Sequence, residues 1–260
     1  MDIVVCVKRV PLTEEVDLVI DEQKKGIKKD QLAFVLNDWD NYAIEEAILL
    51  KERHGGTVTA ITVGSEDDEE VLRRSLAMGA DRAIRVEAGD TTRFDSYGIA
   101  KILSRVVKDV PFDLIFTGVL ADDDYFGMVG MMVAEELQIN HANMVTAIEI
   151  EDRKVRTTSE LEGGLGEVSL IELPALLAIQ TGINEPRYVS ILGIRKAAKK
   201  ELKVVDLSEL GLSDEELSPK TLIDEVYLPP ETEGAQILSG DPEKIASEVI
   251  EILTKKGVMA

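Results

Sequence analysis

Short apolar runs alternate with longer amphipathic stretches along this chain, and this alternation constrains its fold most. Five runs rich in Val, Ile and Leu have the composition of strands buried on both faces. They are IVVCV (3–7), VTAITV (58–63), RAIRVE (82–87), DLIFTG (113–118) and ALLAIQ (175–180). Apolar residues at helical spacing lie between them, at 40–55, 69–80 and 94–109. We therefore predict an α/β fold with a mostly parallel, doubly wound sheet.

Residues 146–173 have a different pattern, because apolar and polar residues alternate around Asp152 and around Gly163-Gly164. This alternation predicts antiparallel strands added to the sheet. After Lys203 the composition becomes acidic, with 13 acids and 2 lysines in residues 204–253, a net charge of −11. We predict an α/β domain 1–203 and an acidic C-terminal arm 204–260, which ends in an amphipathic helix that begins near Pro242. The arm either packs on a partner or folds back on its own domain.

The net charge of −21 argues against nucleic acid or an anionic membrane surface as a ligand. Recognition of phosphate-rich surfaces starts from clustered positive charge. A single cysteine, Cys6, provides neither an intrachain disulfide nor the spacing of a metal site. No apolar run is long enough to cross a bilayer. We expect a cytoplasmic chain with no membrane insertion and no metal.

The segment GVLADDDYFGMVG (118–130), which follows the fourth apolar run, is the first candidate ligand site. In an open α/β sheet, ligands bind at the carboxyl ends of the strands, where helix amino termini accept phosphate. The run Asp122–Asp124 would repel a triphosphate, whereas a nucleotide with one phosphate, or a dinucleotide held away from the acids, is easier to accommodate. The alternative is that these aspartates cap the next helix. Three glycines would let the backbone approach a ligand, and they are Gly118, Gly127 and Gly130.

The segment LNDWDNYAIEEA (36–47) is the second candidate, because it also joins an apolar stretch to a helix. Asn37 could donate a hydrogen bond to a nucleotide, and Trp39 could cover an adenine ring. The alternatives are that Asn37 caps the helix and that Trp39 is a packing residue.

Residues 184–200 are locally basic, with five basic groups against one acid, Glu185. The same stretch places Ile191, Leu192 and Ile194 beside Gly193. Apolar and basic side chains together indicate a segment that binds a partner. The alternative is a solvated loop at a helix end.

Together these segments resemble the β subunit of electron-transfer flavoproteins. The resemblance covers most of the chain, through VCVKRVP (5–11), NDWDNYAIEEAILLKE (37–52), SLAMGADRAIRV (75–86), TGVLADDDYFGMVG (117–130), ELEGGLGEV (160–168), LPALLAI (173–179) and NEPRYVSILGIRKAAKK (184–200). It implies an adenine-nucleotide-hydrolase-like fold and a larger α subunit that holds the redox-active FAD. The heterodimer would carry electrons from flavoprotein dehydrogenases to a quinone-reducing oxidoreductase or a similar acceptor. The chain would then be a carrier subunit rather than a stand-alone enzyme.

The resemblance also implies a nucleotide in this chain. Ordinary members bind AMP structurally, whereas bifurcating members hold a second FAD that oxidises NADH. The implied contacts are Cys6, Asn37, Asp38, Trp39, Asp40, Val63, Gly118, Ala121, Asp123, Asp124, Gly127, Met128 and Val129. The chain departs from the family's more polar or acidic residues at Val119, Leu120, Tyr125 and Met128. The bifurcating branch tends to have glycine and threonine in the acidic loop, so their absence here favours AMP.

The resemblance further implies that residues 184–200 are a recognition loop for the dehydrogenase, with Ile191 entering an apolar pocket. The implied docking residues are Arg187, Tyr188, Ile191, Leu192, Ile194, Arg195 and Lys196. Glu160 would orient the flavin domain of the α subunit, and the arm 204–260 would pack on that subunit. A remoter alternative is a stand-alone nucleotide-binding protein of the stress-protein type. The pyrophosphatases of similar architecture need a Ser-Gly-Gly loop after the first strand, where this chain has VKRVPLTE.

Overall fold

The structure is a computed structural model that describes residues 1–14, 16–230 and 234–259. The strands are β1 (Ile3–Cys6), β2 (Arg9–Pro11), β3 (Phe34–Leu36), β4 (Val58–Gly64), β5 (Arg82–Glu87), β6 (Leu114–Gly118), β7 (Asn140–Glu151), β8 (Lys154–Leu161), β9 (Leu165–Glu172), β10 (Ala175–Ile179) and β11 (Leu202–Asp206). The helices are α1 (Asp38–His54), α2 (Glu69–Met78), α3 (Ser96–Val107), α4 (Val129–Leu137), α5 (Ile191–Ala197), α6 (Asp214–Leu217) and α7 (Pro242–Lys255).

One mixed sheet contains nine strands in the order β11-β5-β4-β1-β6-β10-β7-β8-β9. Neighbours from β11 to β7 pair in parallel, and β8 and β9 are added antiparallel. The turn after β7 has Asp152 at φ 54°, and the turn after β8 has Gly163 and Gly164 at φ 74° and 75°. The predictions of a mostly parallel α/β sheet, of its five apolar strands and of the antiparallel additions are confirmed.

Helices cover both faces of the parallel strands, as a doubly wound sheet requires. Because side chains alternate along a strand, Ile3 and Val5 of β1 pack in a layer with α1 and α2, whereas Val4 and Cys6 pack in a layer with α3 and α4. All four of these side chains are buried. The uninterrupted apolar character of β1 therefore follows from its two covered faces.

The carboxyl ends of β1, β4, β6 and β10 lie at the same edge of the sheet, because these strands are parallel. Helix α4 begins at Val129 at this edge, after the loop that follows β6. Helix α1 also begins here, because Asp40 in its first turn accepts a hydrogen bond from the Gly118 amide at the end of β6. This edge contains the candidate site.

The division between the two parts of the chain comes later than the sequence predicted. The compact unit extends over Met1–Asp224, and a second unit comprises Glu225–Ala260. The predicted boundary after Lys203 falls inside β11, where Val204 pairs with Arg85 of β5. The acidic composition after Lys203 reflects side chains that face water. It does not prevent the backbone of β11 from pairing with β5. That residues 204–260 pack on an α subunit stays a prediction.

Helix α7 begins at Pro242, as its sequence predicts, and Asp241 caps it by accepting a hydrogen bond from the Lys244 amide at 3.0 Å. All residues of α7 are partly or fully exposed. In the ranges that the structure describes, no helix combines the length and the apolar composition that crossing a membrane requires.

Candidate nucleotide site and docking surface

Asn37 joins the two candidate nucleotide segments. Its buried side chain donates from Nδ2 to the Leu120 carbonyl at 2.8 Å, and its Oδ1 accepts from the Asp122 amide at 3.0 Å. Asn37 occupies the N-cap position of α1, but its side chain makes no capping hydrogen bond. The alternative that Asn37 is the N-cap residue is therefore confirmed for its position, but its side chain does not provide the cap. Its amide instead fixes the loop 119–128 against the start of α1.

Asp40 ties the ends of two strands to α1. Its buried carboxylate accepts from the Lys8 amide at 2.8 Å and from the Gly118 amide at 2.9 Å. Burial raises the pKa of Asp40 from its usual 3.8 to about 7, although these two hydrogen bonds and the Lys8 charge lower it in part. Burial, and then the charge of Asp40, raise the pKa of Cys6 to about 12. Cys6 is therefore a packed, protonated thiol and a poor nucleophile.

Lys8 neutralises part of the acidic loop. Its Nζ lies 2.6 Å from Asp123 Oδ1 and 2.9 Å from Asp124 Oδ2. Burial lowers the pKa of Lys8, but these two carboxylates together outweigh burial and hold that pKa above its usual value. Sequence reasoning missed Lys8, although it lies two residues after β1, at the ligand-binding edge. Repulsion of a phosphate by the aspartates is therefore weaker than their number suggests.

The interpretation of the aspartates as caps of the next helix is wrong. Helix α4 begins at Val129, and its N-cap residue is Met128, which provides no side-chain hydrogen bond. Asp124 Oδ1 instead accepts from the Phe126 amide at 3.0 Å, inside the loop. Asp122 Oδ2 accepts from the Asp38 amide at 3.3 Å. Burial, and then the charge of Asp122, raise the pKa of Asp38.

The first turn of α4 has the properties of an anion site. Because no side chain caps it, its first amides keep their capacity to donate to a ligand. Beneath it, Thr117 Oγ1 is buried and has no hydrogen-bond partner among the residues that the structure describes. A Cβ placed on Gly130 would lie 2.5 Å from this oxygen, so the helix backbone passes directly over it. The free backbone donors of this turn fit a phosphate group, provided that Lys8 offsets the nearby acids.

The other predicted nucleotide residues lie around this turn. A Cβ on Gly118 would lie 2.6 Å from Trp39 Cβ and 2.6 Å from Asp40 Oδ1, so only glycine permits this close approach. The Ala121 carbonyl accepts a hydrogen bond from the Tyr125 amide at 2.9 Å, in the turn that contains the aspartates. The remaining positions are Val63, partly buried near the end of β4, Gly127, at φ 61°, Met128, exposed, and Val129, the first residue of α4.

Trp39 provides an aromatic surface at the base of the loop. The Tyr125 ring meets the Trp39 ring edge-on, with centroids 5.9 Å apart and planes at 80°. The indole Nε1 donates to Gln180 Oε1 at 2.9 Å, and Gln180 Nε2 donates to Glu160 Oε2 at 3.0 Å. Sequence reasoning missed Gln180. Its position directly after β10, at the same edge of the sheet, is the signal that could have identified it.

The basic segment 184–200 contains a short helix, α5 (Ile191–Ala197), where the sequence indicated a loop. Ser190 caps α5 by accepting from the Gly193 amide at 3.1 Å. Tyr188 is 93% exposed and Ile191 is 73% exposed. The docking residues predicted from the resemblance that are exposed on or beside α5 are Tyr188, Ile191, Leu192, Ile194, Arg195 and Lys196. The structure therefore brings an apolar cluster and basic side chains together on one surface.

Arg187 differs from the other predicted docking residues, because it pairs within the chain. Its Nε lies 2.9 Å from Glu45 Oε2, and its Nη1 lies 2.8 Å from Glu52 Oε1. The hydrogen bonds to Glu52 and then Glu45 hold the pKa of Arg187 above its usual range. The ammonium group of Lys200 is also hydrogen-bonded within the chain, since its Nζ donates to the Leu76 carbonyl at 3.0 Å near the end of α2. Arg187 therefore anchors the docking segment and is not a free cation for a partner.

Comparisons with a protein family and with individual proteins agree with each other. The family described as the electron transfer flavoprotein domain matches residues 25–210. The chain is 41% identical over 254 residues to the electron transfer flavoprotein subunit beta of Bacillus subtilis (strain 168), which covers 97% of each chain. It is 35% identical over 262 residues to the subunit of the same name from Methylophilus methylotrophus, with 98% of each chain covered. Protein FixA of Azotobacter vinelandii is 31% identical over 268 residues, covering 96% of this chain and 93% of FixA.

Proposed function

The chain belongs to the family of electron transfer flavoprotein β subunits, and from this membership we propose that it pairs with an α subunit. The heterodimer carries electrons from flavoprotein dehydrogenases of the acyl-CoA type to a quinone-reducing or similar acceptor. The observation that carries the proposal is that relatives named as β subunits match nearly the whole chain. Such a match disfavours a stand-alone nucleotide-binding protein. FAD held by the α subunit supplies the redox chemistry. This chain orients the flavin domain of that subunit and binds the dehydrogenase.

The chain's own ligand is an adenine nucleotide, AMP in preference to a second FAD. The uncapped first turn of α4, with Lys8 beside the acidic loop, supports a phosphate there. Trp39, which lies at the base of the same loop, would face the adenine ring. The acidic loop lacks the glycine and threonine of the bifurcating branch, which supports AMP. In this proposal the nucleotide fixes the loop against α1 and takes no part in electron transfer.

Cofactor counting tests the proposal directly. The heterodimer, co-purified with its α subunit, is denatured, and the released FAD and AMP are quantified by chromatography. One FAD and one AMP per heterodimer are expected. Two FAD and no AMP would instead support the bifurcating alternative, in which the second FAD oxidises NADH. A heterodimer with no nucleotide beyond the FAD of the α subunit would overturn the proposed site.

Lys8 allows a charge test of the phosphate position. Lys8→Gln leaves Asp123 and Asp124 without their cation, so AMP should bind roughly tenfold more weakly, because one extra charge a few ångströms away costs about 1–4 kcal/mol near a protein surface. Adding Asp123→Asn to this variant should restore part of the affinity. Lys154→Gln, which removes an exposed lysine that pairs with Glu172 at 3.4 Å, is the control. Equal AMP affinity in wild type and Lys8→Gln would contradict the assignment.

The exposed apolar side chains of α5 form the docking surface for the dehydrogenase in this proposal. Ile191 enters an apolar pocket of the partner, and Arg195 and Lys196 steer a partner with acidic patches. Both basic residues are exposed and carry no carboxylate pair that the structure describes. Glu160 orients the flavin domain of the α subunit, and residues 204–260 pack on that subunit.

A further inference from the structure

Gln180 follows β10 directly and lies between Trp39 of the nucleotide site and Glu160 of β8. Strand β7 pairs with β10 on one side and with β8 on the other. The Gln180 amide donates to the Val145 carbonyl at 2.9 Å, and Val145 is the Cα partner of Ser159 on β8. Ile179 of β10, which directly precedes Gln180, is the Cα partner of the same Val145. Gln180 and Glu160 therefore flank β7 near Val145, and their side chains meet at 3.0 Å.

The orientation of the Gln180 amide is determined by its neighbours. Its Oε1 lies 2.9 Å from Trp39 Nε1 and 2.9 Å from the Thr181 backbone nitrogen. An indole N–H and a backbone N–H can only donate, so the Gln180 oxygen must face both of them. Its NH₂ group must then face Glu160 Oε2 at 3.0 Å. Both hydrogen bonds consequently have a fixed direction, from Trp39 to Gln180 and from Gln180 to Glu160.

Trp39 connects this pair to the loop. Its ring contacts the ring of Tyr125, which stands at φ 55° in the loop, and its Cβ packs against Gly118. A ligand that moves Tyr125 or Trp39 therefore moves the donor on which Gln180 depends. Glu160 is exposed at the other end, where a partner can reach it.

We infer that Gln180 is a positioning residue that couples the nucleotide loop to the carboxylate of Glu160 through Trp39. The functional side of this inference rests on the proposed function, in which Glu160 orients the flavin domain. Coupling between two sites is reciprocal for binding, so a partner on Glu160 also alters nucleotide affinity. The nucleotide site and the partner surface are then linked by one side-chain amide.

A single resonance tests the structural half of the inference. Trp39 is the one tryptophan of the chain, so a heterodimer assembled from the ¹⁵N-tryptophan-labelled chain and unlabelled α subunit gives one labelled indole N–H signal. Glu160→Gln should shift this signal in the wild-type background. The shift should be lost in Gln180→Met, which has a similar length and no polar group. Glu162→Gln, a nearby exposed acid outside the Trp39–Gln180–Glu160 contacts, is the matched control and should leave the signal in place.

A second variant keeps the test valid if Gln180→Met disturbs the fold. Gln180→Ala truncates the side chain, so that it cannot overfill the site and can neither accept from Trp39 nor donate to Glu160. The response to Glu160→Gln should be lost in this variant too. An unchanged response in a folded Gln180 variant, or no response in the wild-type background, would overturn the inference.

Electron transfer at subsaturating dehydrogenase tests the functional half. Removing AMP and replacing Glu160 by Gln should give rate effects that deviate from multiplicativity by about fivefold in wild type, a typical lower value for coupled sites. In Gln180→Met the two effects should simply multiply. Multiplicative effects in wild type would refute the coupling. Absence of AMP from the wild-type heterodimer would instead refute the proposed function, while the indole measurement still decides the role of Gln180.

Discussion

The substitution Asp40→Asn should flatten the pH dependence of stability. Burial raises the pKa of Asp40 to about 7, whereas in the unfolded chain the usual value of 3.8 applies. Between these two values the folded state binds more protons than the unfolded state, so stability falls as pH rises. The stabilisation is complete below about pH 4 and is lost as pH rises through about 7. An asparagine does not titrate and cannot contribute this slope.

The magnitude follows from the pKa difference. Each pKa unit corresponds to about 1.4 kcal/mol, so a shift of roughly three units gives about 4 kcal/mol over the whole titration. Between pH 5 and pH 8 the Asp40 contribution falls by about 2–3 kcal/mol. Asn also loses one of the hydrogen bonds from Lys8 and Gly118, because its NH₂ group cannot accept from a backbone amide. That loss, about 1–3 kcal/mol, does not depend on pH.

Urea unfolding at pH 5, 6, 7 and 8, followed by Trp39 fluorescence, measures this difference. The free energy lost on Asp40→Asn should be larger at pH 5 than at pH 8 by about 2–3 kcal/mol. Asp95→Asn is the matched control. Burial raises the pKa of Asp95, but hydrogen bonds led by that from the Gly98 amide outweigh burial and keep the pKa low. Asp95 therefore titrates below the pH window, so the free energy of unfolding lost on Asp95→Asn should be the same at all four pH values. If the free energy of unfolding lost on Asp40→Asn were also the same at all four pH values, the reasoning would be refuted.

Two further substitutions test the docking segment, and a truncation tests the C-terminal unit. Ile191→Ala should raise the dehydrogenase concentration for half-maximal electron transfer by about ten- to a hundredfold, since a buried isoleucine contributes roughly 1.5–3 kcal/mol. Its melting temperature should not change, because Ile191 is 73% exposed, and an unaltered half-saturation would show that Ile191 does not dock. Arg187→Gln should lower the free energy of unfolding by about 2–4 kcal/mol, because it leaves the buried carboxylate of Glu45 unpaired. Adding Glu45→Gln should recover part of that loss in urea unfolding. Truncation after Asp224 should abolish α-subunit binding in gel filtration, while the far-UV circular dichroism spectrum of the remaining chain stays native-like. Loss of that spectrum would show that residues 1–224 need the C-terminal unit in order to fold.

The sheet could be predicted because its determinants are local. Ile3 to Cys6 are apolar at every position, and this pattern fits only an element that is covered on both faces. The hairpins around Asp152 and Gly163 were predicted from alternation and turn residues in the same way. The end of the compact unit could not be predicted locally. Whether Leu202–Asp206 joins the sheet depends on pairing with β5, more than a hundred positions earlier in the chain.

The position of the candidate site could be predicted, but the roles of its residues could not. Gly118 and Asn37 were identified because both lie where an apolar segment meets a helix. The partners of Asn37, Lys8 and Arg187 are 83, 115 and 142 positions away, respectively. A sequence shows that a polar side chain is present, but only the fold shows whether its hydrogen-bonding capacity is already used. For this reason Asn37 and Arg187 resembled ligand-binding residues, whereas in the structure their side chains form hydrogen bonds within the chain.

Helix α1 connects the two candidate functions physically. Its first turn carries Trp39 and Asp40 at the nucleotide loop, and Glu45 and Glu52 further along hold Arg187 at the start of the docking segment. At 1.5 Å per residue, Asp40 and Glu52 are about 18 Å apart along the axis of one helix. A helix of this length transmits a rigid displacement rather than bending locally. A nucleotide that only fixes the loop against the first turn of α1 would therefore also fix the base of the docking segment, which gives a purely structural ligand a reason to affect partner binding.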